Sequence, residues 1–206
     1  MLRALKPAFV IIILCSLLFA QSTKIEDLAL GKLLVMEREA PDPNFAETVI
    51  LLIHFASDGV VGIALNRPAK VPVSLLDEFK GTSERSDSLY VGGPVEPDTI
   101  TALVRTTKAP PGGLRVADDL YVVQTKRGLE AALKESKGPE DLRIYLGYCG
   151  WSLPQLQNEV KFGSWFIFNR GESFAFDSTP STLWRRLIDR TGLKVAFAGS
   201  SLRALL

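Results

Sequence analysis

Leu142-Arg143-Ile144-Tyr145-Leu146-Gly147-Tyr148-Cys149-Gly150-Trp151-Ser152-Leu153-Pro154-Gln155-Leu156-Gln157-Asn158-Glu159-Val160 decides how this chain is read. The run from Leu142 to Tyr148 is short and apolar and ends in glycines, which reads as a buried strand rather than a helix. Trp151 stands at the corner behind it. Ser152 is placed to cap the next helix, and Pro154 fits a first turn, where a missing N–H costs little. Leu153, Leu156 and Val160 then share one face at helical spacing. Gly163 ends that helix, and Ser164 to Phe168 (SWFIF) returns as a strand. The whole stretch holds no triad, metal cluster or phosphate loop.

The same pattern extends toward the amino terminus. Lys32 to Met36 reads as a first strand. Thr48 to Phe55 (TVILLIHF) and Val60 to Leu65 flank Ser57-Asp58-Gly59, the mark of a β-hairpin. Both faces of that hairpin are apolar, which places it centrally in a sheet rather than at a wet edge. Ser74 can cap a short helix through Phe79. Leu89 to Val91, Ile100 to Arg105 and Leu120 to Gln124 read as strands, Gly128 to Glu135 and Thr182 to Arg190 as helices. On the last of these, Leu183, Leu187 and Ile188 face inward while Arg185, Arg186 and Arg190 face outward. No repeat appears, and the linker-like stretches Gly81–Ser88 and Lys108–Gly113 separate no core-sized halves. The expectation is one α+β domain, a mixed β-sheet with flanking helices.

Composition bounds the function classes. The chain has 206 residues, 47% apolar and 23% charged, with a net charge of +1. A chain of this size buries roughly 70% of its unfolded surface and needs no staples. Arg3 and Lys6 precede an unbroken apolar run of thirteen residues, Ala8 to Ala20. As a helix that run spans about 20 Å, short for a bilayer core of about 30 Å. Residues 1–20 therefore read as a signal peptide or amino-terminal anchor, residues 21–30 as a linker and 31–206 as the domain. Export to the periplasm or inner membrane is the expectation, with the membrane touched only if the segment stays uncleaved. Without Arg3 and Lys6, 22 basic residues face 23 acidic ones, a balance that offers no pull toward nucleic-acid phosphates. Cys15 lies in the signal, so Cys149 is left as a lone thiol and no internal disulfide is expected. Cys149 and the single His54 cannot build an ordinary zinc site. No cofactor or metal is implied.

Several residues bear on binding or chemistry. His54, late in its strand, is either a ligand contact or general base, or a half-buried histidine bonded near a turn. Asn66-Arg67-Pro68 offers a guanidinium to an anion, or simply ends a strand. Gly92-Gly93-Pro94 is either a nest of backbone N–H groups or a tight turn, and its spacing is not a dinucleotide fingerprint. Trp151 packs between strand and helix or lines a groove. Arg185, Arg186 and Arg190 read as a solvated helix face. Two functions follow: a non-enzymatic binding or regulatory protein, or a cysteine-dependent hydrolase or transferase using Cys149 with His54. Trp151 stands where a nucleophile elbow needs its second glycine, which favours the first.

Taken in order, these pieces resemble the YqgE/AlgH family. They are Gly31-Lys32-Leu33-Leu34-Val35, Asp42-Pro43-Asn44-Phe45, Thr48-Val49-Ile50, His54, Gly59 and Gly62. Asn66-Arg67-Pro68, Gly92-Gly93-Pro94-Val95, Leu146-Gly147-Tyr148, Gly150-Trp151, Gln155-Leu156 and Glu159 complete them. The resemblance runs from about Gly31 to Val195 and implies an α+β domain whose sheet folds into a pseudo-barrel. It implies no established activity, although some members are described as transcriptional regulators linked to exopolysaccharide production. The family generally lacks an export signal, so the resemblance alone implies a cytoplasmic protein. It usually has Ala where Cys149 stands, which implies no family-wide thiol chemistry. His54, Asn66, Arg67, Gly92, Gly93 and Trp151 remain as candidate binding residues for a protein partner or a small anionic ligand.

Overall fold

The computed structural model describes residues 21–39, 42–76 and 85–203, with side chains as far as residue 191. The expected signal segment, residues 1–20, lies outside that range, as do residues 77–79 of the helix expected from Ser74 to Phe79. Among the described residues, eleven strands and three α-helices form one sheet-based unit. The strands are β1 (Gln21–Ser22), β2 (Leu33–Met36), β3 (Val49–Ala56), β4 (Gly59–Ala64), β5 (Pro68–Pro72) and β6 (Ser88–Val91). They continue with β7 (Val95–Arg105), β8 (Leu114–Ala117), β9 (Leu120–Val123), β10 (Leu142–Trp151) and β11 (Trp165–Phe168). The helices are α1 (Lys126–Glu135), α2 (Leu153–Lys161) and α3 (Pro180–Arg203). Among the described residues, none is long and apolar enough to cross a membrane.

The sheet order is β1-β11-β2-β3-β4-β10-β7-β9-β8, with β6 beside β10 and β5 beside β6. All pairings are antiparallel except β6 with β10. The central hairpin is β3–β4, and its doubly apolar pattern has a direct cause. Val49, Leu51 and Ile53 face an inner core shared with Leu103, Leu120, Val122 and Tyr145 from the second half of the sheet. Ile50 and Leu52 face an outer layer under α2, with Leu156 and Val160. The far half of the sheet buries Ala102, Val104 and Ile144 under Leu129, Ala132 and Leu133 of α1. Leu183, Trp184, Leu187 and Ile188 of α3 close the inner core, and Trp184 donates its indole N–H to the Met36 carbonyl at 2.8 Å.

The two halves thus face each other, but the path of paired strands ends at β1 and β8 without closing. The sheet is open, folded over and mostly antiparallel, and its strands do not close into a barrel. Strand β10 joins the halves. Its Leu142–Leu146 segment pairs with β7, whereas Cys149–Trp151 pairs with β4. The register breaks between Leu146 and Tyr148, where Gly147 takes φ 68°, a backbone angle that costs other residues. Strand β10 reaches Trp151, past the Tyr148 limit expected from sequence, because the glycine bulge lets it change partners rather than stop. Ser152 caps α2 as expected, its Oγ accepting from the Gln155 N–H at 3.3 Å.

Candidate functional site

The Gly147 bulge sets what each face of the central sheet presents. Gly92 and Gly93 cross β10 at that point, so close that a Cβ on either would overlap the Gly147 carbonyl or the Tyr148 backbone. The Gly92 N–H donates to the Leu146 carbonyl at 2.7 Å, and its own carbonyl accepts from the Ala64 N–H at 2.8 Å. At this crossing the Gly92 N–H already has its partner in the backbone. Beyond it, Tyr148 packs toward the inner core and Cys149 toward the outer layer.

Cys149 is buried among Ile50, Leu52 and Trp151, and its thiol meets the Gly92 carbonyl at 3.4 Å. Burial pushes the thiol up to about 12, only slightly offset by the Arg67 charge. His54 lies elsewhere. It lines a cleft with Val61 and Tyr148, both packed against the opposite face. The sheet therefore separates the two residues, and a Cys149–His54 nucleophile–base pair has no geometry here.

Asn66 and Arg67 are engaged inside the protein. The Asn66 side chain accepts from the Val49 N–H at 2.9 Å and donates to the Glu47 carbonyl at 2.8 Å. Arg67 Nη2 donates to the Asn44 carbonyl and to Thr48 Oγ1, both at 2.6 Å. Together they clamp the 42–48 loop, in which Glu47 is held at φ 52°. The clamp carries Phe45 into contact with Trp151, ring centroids 6.1 Å apart, and Trp165, 5.7 Å apart. Trp151 is 6% exposed and packs in this cluster rather than lining a groove.

Of the expected site residues, His54 lines an open cleft. The cleft holds about 700 Å³, within the usual range of small-molecule sites. Its floor is apolar: Ile53 and Val61 from the hairpin, Ile100 from β7, Val122 from β9 and Leu129 from α1. Leu114 on edge strand β8 stands at its mouth, 64% exposed. Glu96, Asp98, Lys126 and Glu130 supply charge.

Glu96 is the most constrained of these. Its backbone sits at φ 43°, an uncommon angle for a residue with a side chain. The Thr99 hydroxyl donates to its carboxylate at 3.0 Å, and the Tyr148 phenol stands near enough to feel its charge. Desolvation, followed by the nearby Glu96 charge, raises the Tyr148 pKa, so the phenol keeps its proton. His54 Nε2 meets Asp58 Oδ1 at 3.1 Å, and that bond holds the Asp58 carboxyl below its ordinary range. Glu96, Thr99, Tyr148 and the α1 residues were not singled out from sequence. They converge from β7, β10 and α1, and only the proline-flanked Glu96 of Val95-Glu96-Pro97 gave a local sign.

Among the described residues, no group of three or more His, Cys, Asp or Glu could hold a metal ion. The outer face of α3 is not purely basic: Arg186 pairs with Asp177 at 2.5 Å, and Asp189 with Arg38 at 2.7 Å.

Comparison with known proteins agrees with this architecture. A UPF0301 protein of Chlorobaculum tepidum is 29% identical over 181 residues, covering 87% of this chain and 96% of the relative. A UPF0301 protein of Xylella fastidiosa is 30% identical over 168 residues, covering 79% and 89%. The solution structure of the AlgH protein from Pseudomonas aeruginosa superposes with a TM-score of 0.65 at 26% identity, over 82% of this chain and 92% of that one. A Corynebacterium diphtheriae protein shares the fold, with a TM-score of 0.58 at 24% identity over 68% and 75%. The family model described as DUF179, AlgH-like, matches residues 33–196, and the chain belongs to this AlgH-like family.

Proposed function

We propose that this chain is a non-enzymatic binding protein whose ligand occupies the cleft between the β3–β4 hairpin, β7 and α1. The observation that carries the reading is the cleft itself: about 700 Å³, floored by apolar side chains and ringed by a few oriented polar groups, the composition of a small-molecule site. A further feature speaks against the thiol chemistry: Cys149 is buried and separated from His54 by the sheet. A regulatory role, on this reading, runs through the ligand and not through DNA. The near-neutral chain and the mixed charge on α3 give little hold on phosphates. The basic and apolar amino-terminal segment supports placing this binding role outside the cytoplasm.

A screen of small amphipathic molecules by amide chemical-shift mapping tests the reading. Ligands should shift residues around Ile53, Val61, Ile100 and Leu129. Leu114→Trp, at an exposed position on the cleft mouth, should weaken them without unfolding the protein. Hits that map elsewhere, or none at all, would overturn it.

A further inference from the structure

The geometry points to an amphipathic organic cation, an alkylammonium or amine with an apolar body, as the class of ligand this cleft takes. The inference rests on the cleft being a binding site, and it departs from the small anion expected from Asn66-Arg67 and Gly92-Gly93.

Charge complementarity sets the sign. Three carboxylates, Glu96, Asp98 and Glu130, line the cleft against one lysine, Lys126. Lys126 and Glu130 stand four apart on α1 and offset each other locally. His54 is tied to Asp58, so any charge it carries is matched. Glu96 and Asp98 are left to set the potential.

Glu96 is built to present its charge. The Thr99 hydroxyl donates to its carboxylate and the Tyr148 phenol stands nearby. Neither neutralises it. Glu96 is exposed at the cleft edge, where an ammonium can form a charge-assisted hydrogen bond with its carboxylate. Beside it lie Val61, Ile100, Leu114 and Val122, apolar surface that a polyamine or a bare ion leaves unmatched. A metal ion fits poorly, because no cluster of three ligands is present among the described residues. An ammonium on an alkyl or aromatic body satisfies both halves of the cleft.

Isothermal titration of the intact protein with n-octylammonium, octanoate, n-octyl glucoside and spermidine decides the matter. Octylammonium should bind, weaken with added salt, and lose about tenfold in affinity in Glu96→Gln, the size expected for one charge-assisted bond. Octanoate should bind more weakly than octylammonium, and spermidine should not bind without an apolar body. Amide shifts should map the bound octylammonium to Glu96 and Tyr148. Tyr148→Phe removes a hydroxyl near Glu96 while keeping the ring, and should retain the preference for octylammonium over octanoate. Equal or tighter binding of octanoate, or affinity unchanged in a folded Glu96→Gln, would overturn the cationic class and leave a binding cleft. Failure of all four probes, with no shift in the cleft, would overturn both.

Discussion

Trp165 donates its indole N–H to Oε2 of Glu159 at 2.8 Å, and Trp151 donates to the same oxygen at 3.1 Å. One carboxylate on α2 thus satisfies two buried indoles from strands β10 and β11, whose rings meet edge to face at 6.2 Å. Gln155 holds the other oxygen at 3.1 Å. Glu159→Ala strands two donors and is expected to cost about 3 kcal/mol, since each unmet buried donor costs roughly 1–3 kcal/mol. Glu159→Gln keeps an acceptor and should cost about 1 kcal/mol. Urea unfolding followed by tryptophan fluorescence measures both, and equal losses would show that the shared acceptor is not what matters.

Asn66 holds the other side of the same aromatic cluster. Its amide spans the Val49 N–H and the Glu47 carbonyl, and Asn66→Asp, although nearly isosteric, would lose the donor. Asn66→Ala is expected to destabilise by about 2 kcal/mol, the loss of two partly buried hydrogen bonds. Hydrogen exchange should rise at Val49 and along 42–48, where the amide now anchors the loop. Unchanged exchange there would place the role of Asn66 elsewhere, in favour of a surface contact.

These two examples show what could be read from sequence. Ser152, Leu156 and Val160 announced α2 through local capping and periodicity, and the hairpin announced itself by apolar runs around Asp58-Gly59. Each signal is carried by neighbours in the chain. The cleft is not, because His54, Glu96, Tyr148 and Leu129 come from four elements that only the folded-over sheet brings together. The polar groups of Asn66 and the N–H of Gly92 looked available in sequence because their partners lie far along the chain or behind a bulge. Glu159 carried no sign that its oxygen served two tryptophans. The break in β10 was equally hidden, since Gly147 reads as a strand end until the two halves of the sheet claim either side of it.

The amino-terminal segment makes a prediction independent of the fold. Residues 1–30, fused to a reporter active only after export, should carry it out of the cytoplasm. Replacing Ile12 and Leu14 by Arg should abolish that, because each charge breaks the thirteen-residue apolar run on which targeting depends. An intact but inactive fusion held in the cytosol would reject export. Mass spectrometry of the mature amino terminus would then separate a cut near Ala20 from a retained anchor.

Cys149 ties stability to alkaline pH. Its thiol is raised by burial from an ordinary 9.0 to about 12, so the folded protein keeps the proton where the unfolded chain releases it. The stabilisation is complete below about pH 9 and is lost as pH climbs toward 12. Tyr90 and Tyr145, both raised by burial, add their own losses in the alkaline range. The difference between the wild type and Cys149→Ala isolates the thiol. The variant should fold, with a change of about 1 kcal/mol or less at pH 7, because the residue is small. Its stability should fall less steeply than that of the wild type above pH 9, the ordinary thiol value. In the native wild type, alkylation of Cys149 should be slow at pH 8 and accelerate only with unfolding, since little thiolate forms and the outer layer covers it. Rapid native-state alkylation, with parallel alkaline limbs for wild type and variant, would show instead an accessible thiol of ordinary acidity and reopen a chemical role for Cys149.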